Sequence, residues 1–397
     1  MSAPLAGVRV LELTRLLPGP MCTLYLADLG ADVVKIEDTG AGDYARTLSS
    51  DPQAAPRRPM TTWYRAINRD KRSLAIDLKS PRGRDAFLAL AKDADIVVEG
   101  FRPGVVGTLG IGHEALLALN PRLVYCSLSG YGQTGPRSTL AGHDINYLGY
   151  AGVLDQTGVR GGPPALAGLQ IADLLGGAAT AAIGILGALI GALRHGRGRY
   201  LDVAMADAVL AHQIFALGAL EDSGRVAARG ADLLTGGFPC YGVYETQDAR
   251  WLAVGALEAK FWRALCAALG RGDLISGQFA TGDEGAGVRS ELERVFATDT
   301  LAGWTARLAH ADCCVSPVLT FDEALADMQF RARGMVVTGK DGSRRFAPPF
   351  RLLPPAASAT RDAPRQGEHS REVLAEAGLA EAVIDALIAD DVVSAAG

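Results

Sequence analysis

The first part of the chain alternates short apolar runs with amphipathic segments. Residues 7–37, GVRVLELTRLLPGPMCTLYLADLGADVVKIE, predict a strand, a loop, a helix and a second strand, which together form a βαβ unit. Ser80, followed by a proline, predicts the start of a helix that runs to about Asp93. DIVVEG and RLVYCSLSG predict two buried strands with another helix between them. This alternation predicts an α/β fold with a mostly parallel sheet covered on both faces.

The pattern changes after about residue 225. Residues 241–257, YGVYETQDARWLAVGAL, predict a hairpin with a polar turn, and three amphipathic helices follow. The stretch from 336 to 365 is rich in Pro, Ala and Arg and predicts a long surface connection. SREVLAEAGLAEAVIDALI then predicts one or two closing helices.

These patterns divide the chain into four parts. We expect a large α/β domain over 1–200, a linker helix over 201–230, a small α+β domain over 231–335, and a return linker with C-terminal helices over 336–397 that joins the large domain. With 397 residues and 49% hydrophobic content, the chain is long enough for more than one domain with a large core.

Composition narrows the partners and the compartment. The net charge is −5 and the basic residues are scattered, which predicts no nucleic-acid partner. The six cysteines form no C-x-x-C pair, which is typical of reduced thiols. MSAPLAGVRVLEL lacks the pattern of a secretory signal, so we expect a cytoplasmic protein.

The segment 174–193, LLGGAATAAIGILGALIGAL, is uncharged over 20 residues and is long enough to span a membrane. Eleven of its 20 residues are Gly or Ala, and no second such segment exists. We therefore predict a helix buried in a soluble core, and no membrane partner.

The sequence lacks the motifs that two kinds of cofactor site require. A dinucleotide site needs several glycines after the first strand, whereas TRLLPGP has one glycine between prolines, so we expect no NAD. No clustered Cys and His ligands occur, so we expect no metal.

Several polar side chains are candidates for chemistry, each with a plain structural alternative. His143 lies in the polar window AGHDINYLG, although an isolated histidine is more often structural. Asp173 precedes the uncharged segment and Glu258 follows the predicted hairpin, and either acid suits a helix N-terminus. NRDKRS, residues 68–73, together with Lys79 and Arg102, predicts either a polyphosphate site or solvated charge.

The order of the motifs resembles the class III CoA-transferase family, which also contains the α-methylacyl-CoA racemases. The resemblance runs along nearly the whole chain. It is carried by GVRVLEL, NRDKRSLAIDLKSPRGR, VVEGFRPGV, NPRLVYCSLSGYGQTGP, AGHDINY, QIADLLGGA, GRGRYLDVAM, GGFPCYGVYET, VGALEAKFW and CCVSPVLTFDEAL.

GHDIN and the glutamate of VGALE resemble the racemase branch of that family. The resemblance implies that His143 and Asp173 flank the α-carbon of an acyl-CoA, one removing a proton and the other returning one to the opposite face of the enolate. Glu258 would support the histidine. Imidazole suits a base near neutral pH, and an apolar setting keeps an aspartic acid neutral. Backbone N–H groups near Asp144 would stabilise the enolate oxygen.

The resemblance also implies CoA, bound as the acyl-CoA substrate, and a homodimer. The family fold has a Rossmann-like large domain built from both chain ends, a smaller domain, and interlocked chains. The residues expected to bind CoA are Arg46, Asp77, Leu78, Lys79, Gly100, Phe101, Arg102, Gly142, Asp144 and Tyr147.

Two other functions stay open. In the transferase branch the aspartate at the position of Asp173 attacks the thioester and carries CoA between carboxylic acids. Racemases tend to carry arginines at the positions of Asp38 and Thr108, and GAGDYAR, residues 40–46, is more similar to transferases. A CoA-binding protein without catalysis is the third possibility.

Overall fold

The computed structural model describes residues 2–48, 60–339, 342–353 and 361–396. Its strands are β1 Arg9–Leu13, β2 Asp32–Glu37, β3 Arg72–Ile76, β4 Ile96–Glu99, β5 Val124–Ser129, β6 Arg199–Ala204, β7 Tyr241–Glu245, β8 Trp251–Gly255, β9 Val315–Pro317, β10 Val336–Thr338, β11 Arg344–Phe346 and β12 Val393–Ser394.

The α-helices are α1 Pro18–Asp28, α2 Thr62–Asn68, α3 Pro81–Ala91, α4 Val105–Thr108, α5 His113–Leu119, α6 Asp144–Tyr150, α7 Val153–Gln156, α8 Thr180–His195, α9 Met205–Ala211, α10 Ile214–Ser223, α11 Ala259–Ala268, α12 Gly282–Phe296, α13 Leu301–Leu308, α14 Phe321–Ala326, α15 Met328–Ala332, α16 Ser370–Glu376 and α17 Glu381–Ala389. A π-helical segment, Ala172–Ala179, runs directly into α8, and 3₁₀ turns form at Tyr44–Arg46 and Gly272–Gly277.

The chain forms two compact units by its contacts. The large unit comprises Met1–Ala151, Leu169–His212 and Gly334–Gly397, and the small unit comprises Gly152–Gly168 and Gln213–Arg333. The domain boundary predicted at residue 200 falls inside β6. The four-part division stays a prediction, because a compact unit is not thereby shown to fold as a domain.

A seven-stranded sheet in the order β12-β3-β2-β1-β4-β5-β6 forms the centre of the large unit. Every pair is parallel except that of β12 with β3, so the predicted parallel α/β sheet is confirmed. The chain adds strands to one side of the sheet from β1 to β3 and to the other side from β4 to β6, so the order switches between β1 and β4. In open α/β sheets, ligands bind beyond the carboxyl ends of the strands at such a switch point.

The hydrophobic core of the large unit draws on both ends of the chain. Leu11 and Phe87 from the N-terminal half pack in one cluster with Leu374 and Leu387 from α16 and α17. The predicted closing helices are therefore confirmed. Strand β12, which lies beside β3, was not predicted, because a two-residue strand leaves no periodic pattern.

The small unit contains an antiparallel sheet in the order β7-β8-β9. Tyr241 pairs with Gly255 in the predicted hairpin, which is confirmed. Trp262, Phe296 and Trp304 are fully buried in its core. The amphipathic helices predicted here are α11, α12 and α13, and their apolar faces supply these side chains.

Two segments differ from the sequence predictions. The stretch taken as a surface connection contains a short antiparallel pair, β10 with β11. Within the described ranges, the helix of Ala172–His195 is the one segment that is long and apolar enough to cross a membrane. Only 44% of its most apolar 18-residue stretch is buried. Ile183 is 73% exposed and Leu193 is 61% exposed. In the single chain, therefore, only one face of the helix that was expected in the core packs against the rest of the protein.

Candidate active site

Three loops follow parallel strands at the same edge of the large sheet. Thr14 follows β1, Gly100–Arg102 follows β4 and Asp77–Lys79 follows β3. The side chains of Lys79 and Arg102 are exposed, and neither has an acidic partner in the part of the chain that is described. The Asp77 carboxylate accepts the N–H of Lys79 at 2.9 Å. These loops lie at one edge because parallel strands present their carboxyl ends on the same side of a sheet.

The cluster of residues 68–73 is not a phosphate site, which corrects that sequence hypothesis. Lys71 is fully buried, and its Nζ lies 2.8 Å from Glu12 Oε2. Arg72 is also buried and pairs with Asp32 at the amino end of β2. These cations neutralise carboxylates inside the protein, so they have no free charge to offer a ligand.

Glu12 is the centre of this buried ionic network. Lys35 Nζ lies 2.9 Å from Glu12 Oε1 and 2.9 Å from Asp43 Oδ2, and the Thr23 hydroxyl donates to Glu12 Oε2 at 2.7 Å. Burial alone would raise the pKa of Glu12, but the ammonium groups of Lys35 and Lys71 override it and lower the pKa to about 2. Burial lowers the pKa of Lys71 to about 8.

Arg46, expected to bind CoA, lies in the same buried region. Its Nε and Nη2 donate to the two oxygens of Glu37 at 2.8 and 2.6 Å, and its guanidinium stacks on the Tyr64 ring. The side chain is 8% exposed. A direct contact with CoA stays a prediction for this residue.

The π-helical segment places Asp173 in its first turn. π-helical turns are rare and occur frequently at functional sites. Gly176 and Gly177 explain how it packs: a Cβ on Gly176 would lie 2.8 Å from Met205 O, and one on Gly177 would lie 2.8 Å from Pro18 Cβ. Larger side chains would push the segment off α1 and α9, so the two glycines fix the depth of Asp173.

Asp144 joins the start of α6 to this segment. Its Oδ1 accepts the N–H of Ala172 at 2.6 Å and the N–H of Asp173 at 3.1 Å. His143 is the N-cap of α6, and its backbone N–H donates to Asn146 Oδ1 at 3.0 Å. The structure therefore brings Asp144, which directly follows His143, against the backbone of Asp173, 29 positions further along the chain. The His143 side chain is exposed.

The turn before His143 is shaped by Tyr147. Its hydroxyl donates to the carbonyl of Gly142 at 2.6 Å, and a Cβ on Gly142 would lie 2.8 Å from the tyrosine ring. Burial raises the pKa of Tyr147 to about 12, so the hydroxyl stays a donor. Glycine is required at position 142 because the ring of Tyr147 occupies the space of a side chain.

Asp173 is half-buried, and its carboxylate differs from the paired carboxylates of Glu12 and Glu37. No protein donor is within hydrogen-bond distance of it in the described ranges. Burial, together with the neighbouring charge of Asp144, raises the pKa of Asp173 to about 6. A carboxyl with this pKa can act as an acid or as a base near neutral pH.

Glu258 belongs to the small unit. It is exposed, directly precedes α11, and makes no side-chain cap hydrogen bond. The capping alternative is therefore not realised, and its support of His143 stays a prediction.

The chain is similar to known proteins over most of its length. A sequence profile of CoA-transferase family III matches residues 5–370. The alpha-methylacyl-CoA racemase of Homo sapiens is 37% identical over 393 residues, covering 98% of this chain and 97% of that protein. The succinate–glutarate CoA-transferase of Agrobacterium fabrum is 35% identical over 389 residues, covering 94% of this chain and 95% of that protein. A CaiB/BaiF family crystal structure from Brucella suis superimposes with a TM-score of 0.82 at 30% identity, covering 95% of this chain and all 100% of that one.

Proposed function

The chain belongs to CoA-transferase family III, whose members act on acyl-CoA, and on this premise we propose that it epimerises the α-carbon of a 2-methyl-branched or similar acyl-CoA. The observation that carries the proposal is the Asp144 carboxylate, which binds the N–H groups of both Ala172 and Asp173. It ties the residue after His143 to the backbone of Asp173. A reaction that removes a proton from one face and returns it to the other needs two such groups close together.

The proton transfers balance within this pair. His143, as neutral imidazole, removes the α-proton, and the electron pair of the C–H bond moves into the thioester as an enolate. Asp173, as the neutral acid, then gives its proton to the opposite face of the α-carbon. The products of one turnover are an imidazolium and a carboxylate, which serve the reverse direction. The Asp173 pKa of about 6 supports this role because both protonation states are accessible near neutral pH.

The loops at the carboxyl edge of the sheet supply the proposed CoA site. Arg102 and Lys79 would bind phosphates, with Asp77, Leu78, Gly100 and Phe101 shaping the loops around them. Gly142, Asp144 and Tyr147 would border the thioester. The guanidinium of Arg46 is already paired with Glu37, so we expect replacing Arg46 to affect folding before CoA affinity.

A CoA-transferase is the second candidate, and the unpartnered carboxylate of Asp173 favours it specifically. As a nucleophile, Asp173 would attack the thioester carbonyl, break its C–S bond and release CoA thiolate, which leaves the acyl group on Asp173 as a mixed anhydride. The thiolate would then attack the aspartyl carbonyl, free the first acid and leave a CoA thioester on Asp173. An acceptor acid would take CoA by the reverse steps.

We also propose a cytoplasmic homodimer. The exposed apolar side chains of α8 include Ile183 and Leu193, and those of α10 include Ile214 and Phe215. Apolar faces of this kind mark protein interfaces. Ile183→Glu should shift the protein from dimer to monomer in light scattering, whereas the exposed surface change Arg294→Glu should not. A monomeric wild-type protein would refute the dimer.

The deciding experiment incubates a 2-methylacyl-CoA in deuterated water and follows α-deuterium and chirality. The wild type should incorporate deuterium and racemise. His143→Ala should lower exchange about 10²–10⁴-fold, as for loss of a general base, and Glu258→Gln should lower it less. A hydroxylamine-sensitive thioester on Asp173 without α-deuterium would instead establish the transferase. CoA binding without exchange or transfer would leave the non-catalytic function.

A further inference from the structure

Glu99 is a buried carboxyl at the ligand edge of the large sheet. It is the last residue of β4 and is 1% exposed. Its Oε2 accepts the N–H of Phe101 at 2.8 Å, and its Oε1 accepts the hydroxyl of Ser127 on β5. Within the described ranges it has no cationic partner. Burying an unpaired acid is costly, so its presence calls for a local reason.

The hydrogen bond to Phe101 ends β4 and fixes the direction of the loop. It holds the chain across Gly100, and the ring of Phe101 packs against the core. The carbonyl of Arg102 then accepts the N–H of Val105 at 3.2 Å, which starts α4. Arg102 is thus held between two backbone constraints, with its side chain exposed.

Ser127 completes this arrangement from the neighbouring strand. Glu99 and Ser127 pair in register across β4 and β5. The hydroxyl occupies one carboxyl oxygen and leaves the other for Phe101. Burial raises the pKa of Glu99 to about 6, and since a hydroxyl can donate or accept, the contact survives protonation of the carboxyl.

We propose that Glu99, oriented by Ser127, is a positioning residue that sets the loop of residues 100–104 so that Arg102 meets a phosphate of CoA. This inference rests on the proposed assignment of Arg102 to CoA. It assigns Glu99 no contact with the substrate. Its effect is to preorganise the loop, which reduces the conformational entropy that is lost when CoA binds.

The test measures CoA affinity by calorimetry and steady-state kinetics on the full-length protein. Glu99→Ala should raise the Kd for CoA and the KM for acyl-CoA about tenfold, as for a misplaced charge-assisted contact, with a far smaller effect on kcat. Glu99→Gln should restore affinity, because its amide can accept from Phe101 and donate to Ser127.

Asp95→Ala is the matched control. Asp95 directly precedes the same strand, at its opposite end, and its carboxylate accepts the N–H of Arg9 at 2.9 Å. This variant should lose stability but keep the wild-type Kd. Ser127→Ala should weaken CoA binding less than Glu99→Ala, and it provides the measurement if Glu99→Ala does not fold.

Arg102→Ala separates failure of this inference from failure of the proposed site. Weak binding by Arg102→Ala with normal binding by Glu99→Ala and Ser127→Ala would overturn the positioning role alone. Normal binding by all three would overturn the CoA assignment as well. Equal weakening by Glu99→Ala and Asp95→Ala would show a general structural effect and would also overturn the inference.

Discussion

Glu12, which is fully buried, and Asp173, which is half-buried, are acids of the same unit with opposite surroundings. Glu12 touches two ammonium groups and the hydroxyls of Thr14 and Thr23, and its pKa falls to about 2. Asp173 has no donor to its carboxylate in the described ranges, and its pKa rises to about 6. Complete pairing stabilises the fold and leaves no reactivity, whereas a carboxyl without partners costs stability and keeps a proton available.

The largest effect we expect is on catalysis at Asp173. Asp173→Asn should lower either racemisation or CoA transfer by about 10³-fold or more, because an amide is neither an acid nor a nucleophile. Turnover is measured with a 2-methylacyl-CoA and by CoA transfer to candidate acids. The variant should fold normally, since no side-chain hydrogen bond is lost. Turnover close to wild type would remove Asp173 from the site.

The next effect is on folding at Glu12. Glu12→Ala should lower the free energy of unfolding by about 3–5 kcal/mol, because it leaves Lys71 buried without its carboxylate. Asp390→Ala is the control: it breaks the exposed pair with Arg82 and should cost less than about 1 kcal/mol. Urea denaturation measures both. Equal losses would mean that the buried network contributes no more than a surface pair.

The two acids should give opposite dependences of stability on pH. The pKa of Asp173 is raised from 3.8 to about 6, so the folded state binds this proton more tightly and stability falls as pH rises across that range. Asp173→Asn should therefore stabilise the protein above pH 6, by about 1–3 kcal/mol, and should give no gain below about pH 4.

Glu12 provides the comparison in the same urea series. Its pKa is lowered from 4.5 to about 2, so its contribution is present above pH 4.5 and is lost as pH falls toward 2. The stability difference between wild type and Glu12→Gln should therefore shrink on acidification. A gain from Asp173→Asn that does not vary between pH 4 and pH 8 would contradict the raised pKa.

The sequence predicted those elements that repeat over many residues. The βαβ unit and the helix after Ser80 have clear periodicity or caps, and both are present. The pair of β10 with β11 was missed because three-residue strands carry too little pattern. The charge of residues 68–73 wrongly suggested a phosphate site. Lys71 is neutralised inside the protein by the carboxylate of Glu12, which lies 59 positions earlier in the chain.

The candidate site followed from the family resemblance more than from local pattern. The polar window around His143 was visible, but its contact with the π-helical segment depends on hydrogen bonds that Asp144 accepts from N–H groups 28 and 29 positions later. No signal in the sequence distinguishes this π-helical segment from an ordinary α-helix. The role of Glu258 stays a prediction because it lies in the other unit.

The smallest effect we expect concerns the turn that presents His143. Tyr147→Phe removes the hydroxyl that donates to Gly142 and should cost about 0.5–1.5 kcal/mol of stability. Tyr244→Phe is a closely matched control, since its hydroxyl also donates at 2.6 Å to a carbonyl five residues earlier, that of Pro239 in the small unit. Both variants should lose similar stability, but only Tyr147→Phe should slow deuterium exchange, by less than about tenfold, because the loosened turn misplaces a general base. Equal exchange rates in the two variants would show that Tyr147 stabilises the fold without orienting His143.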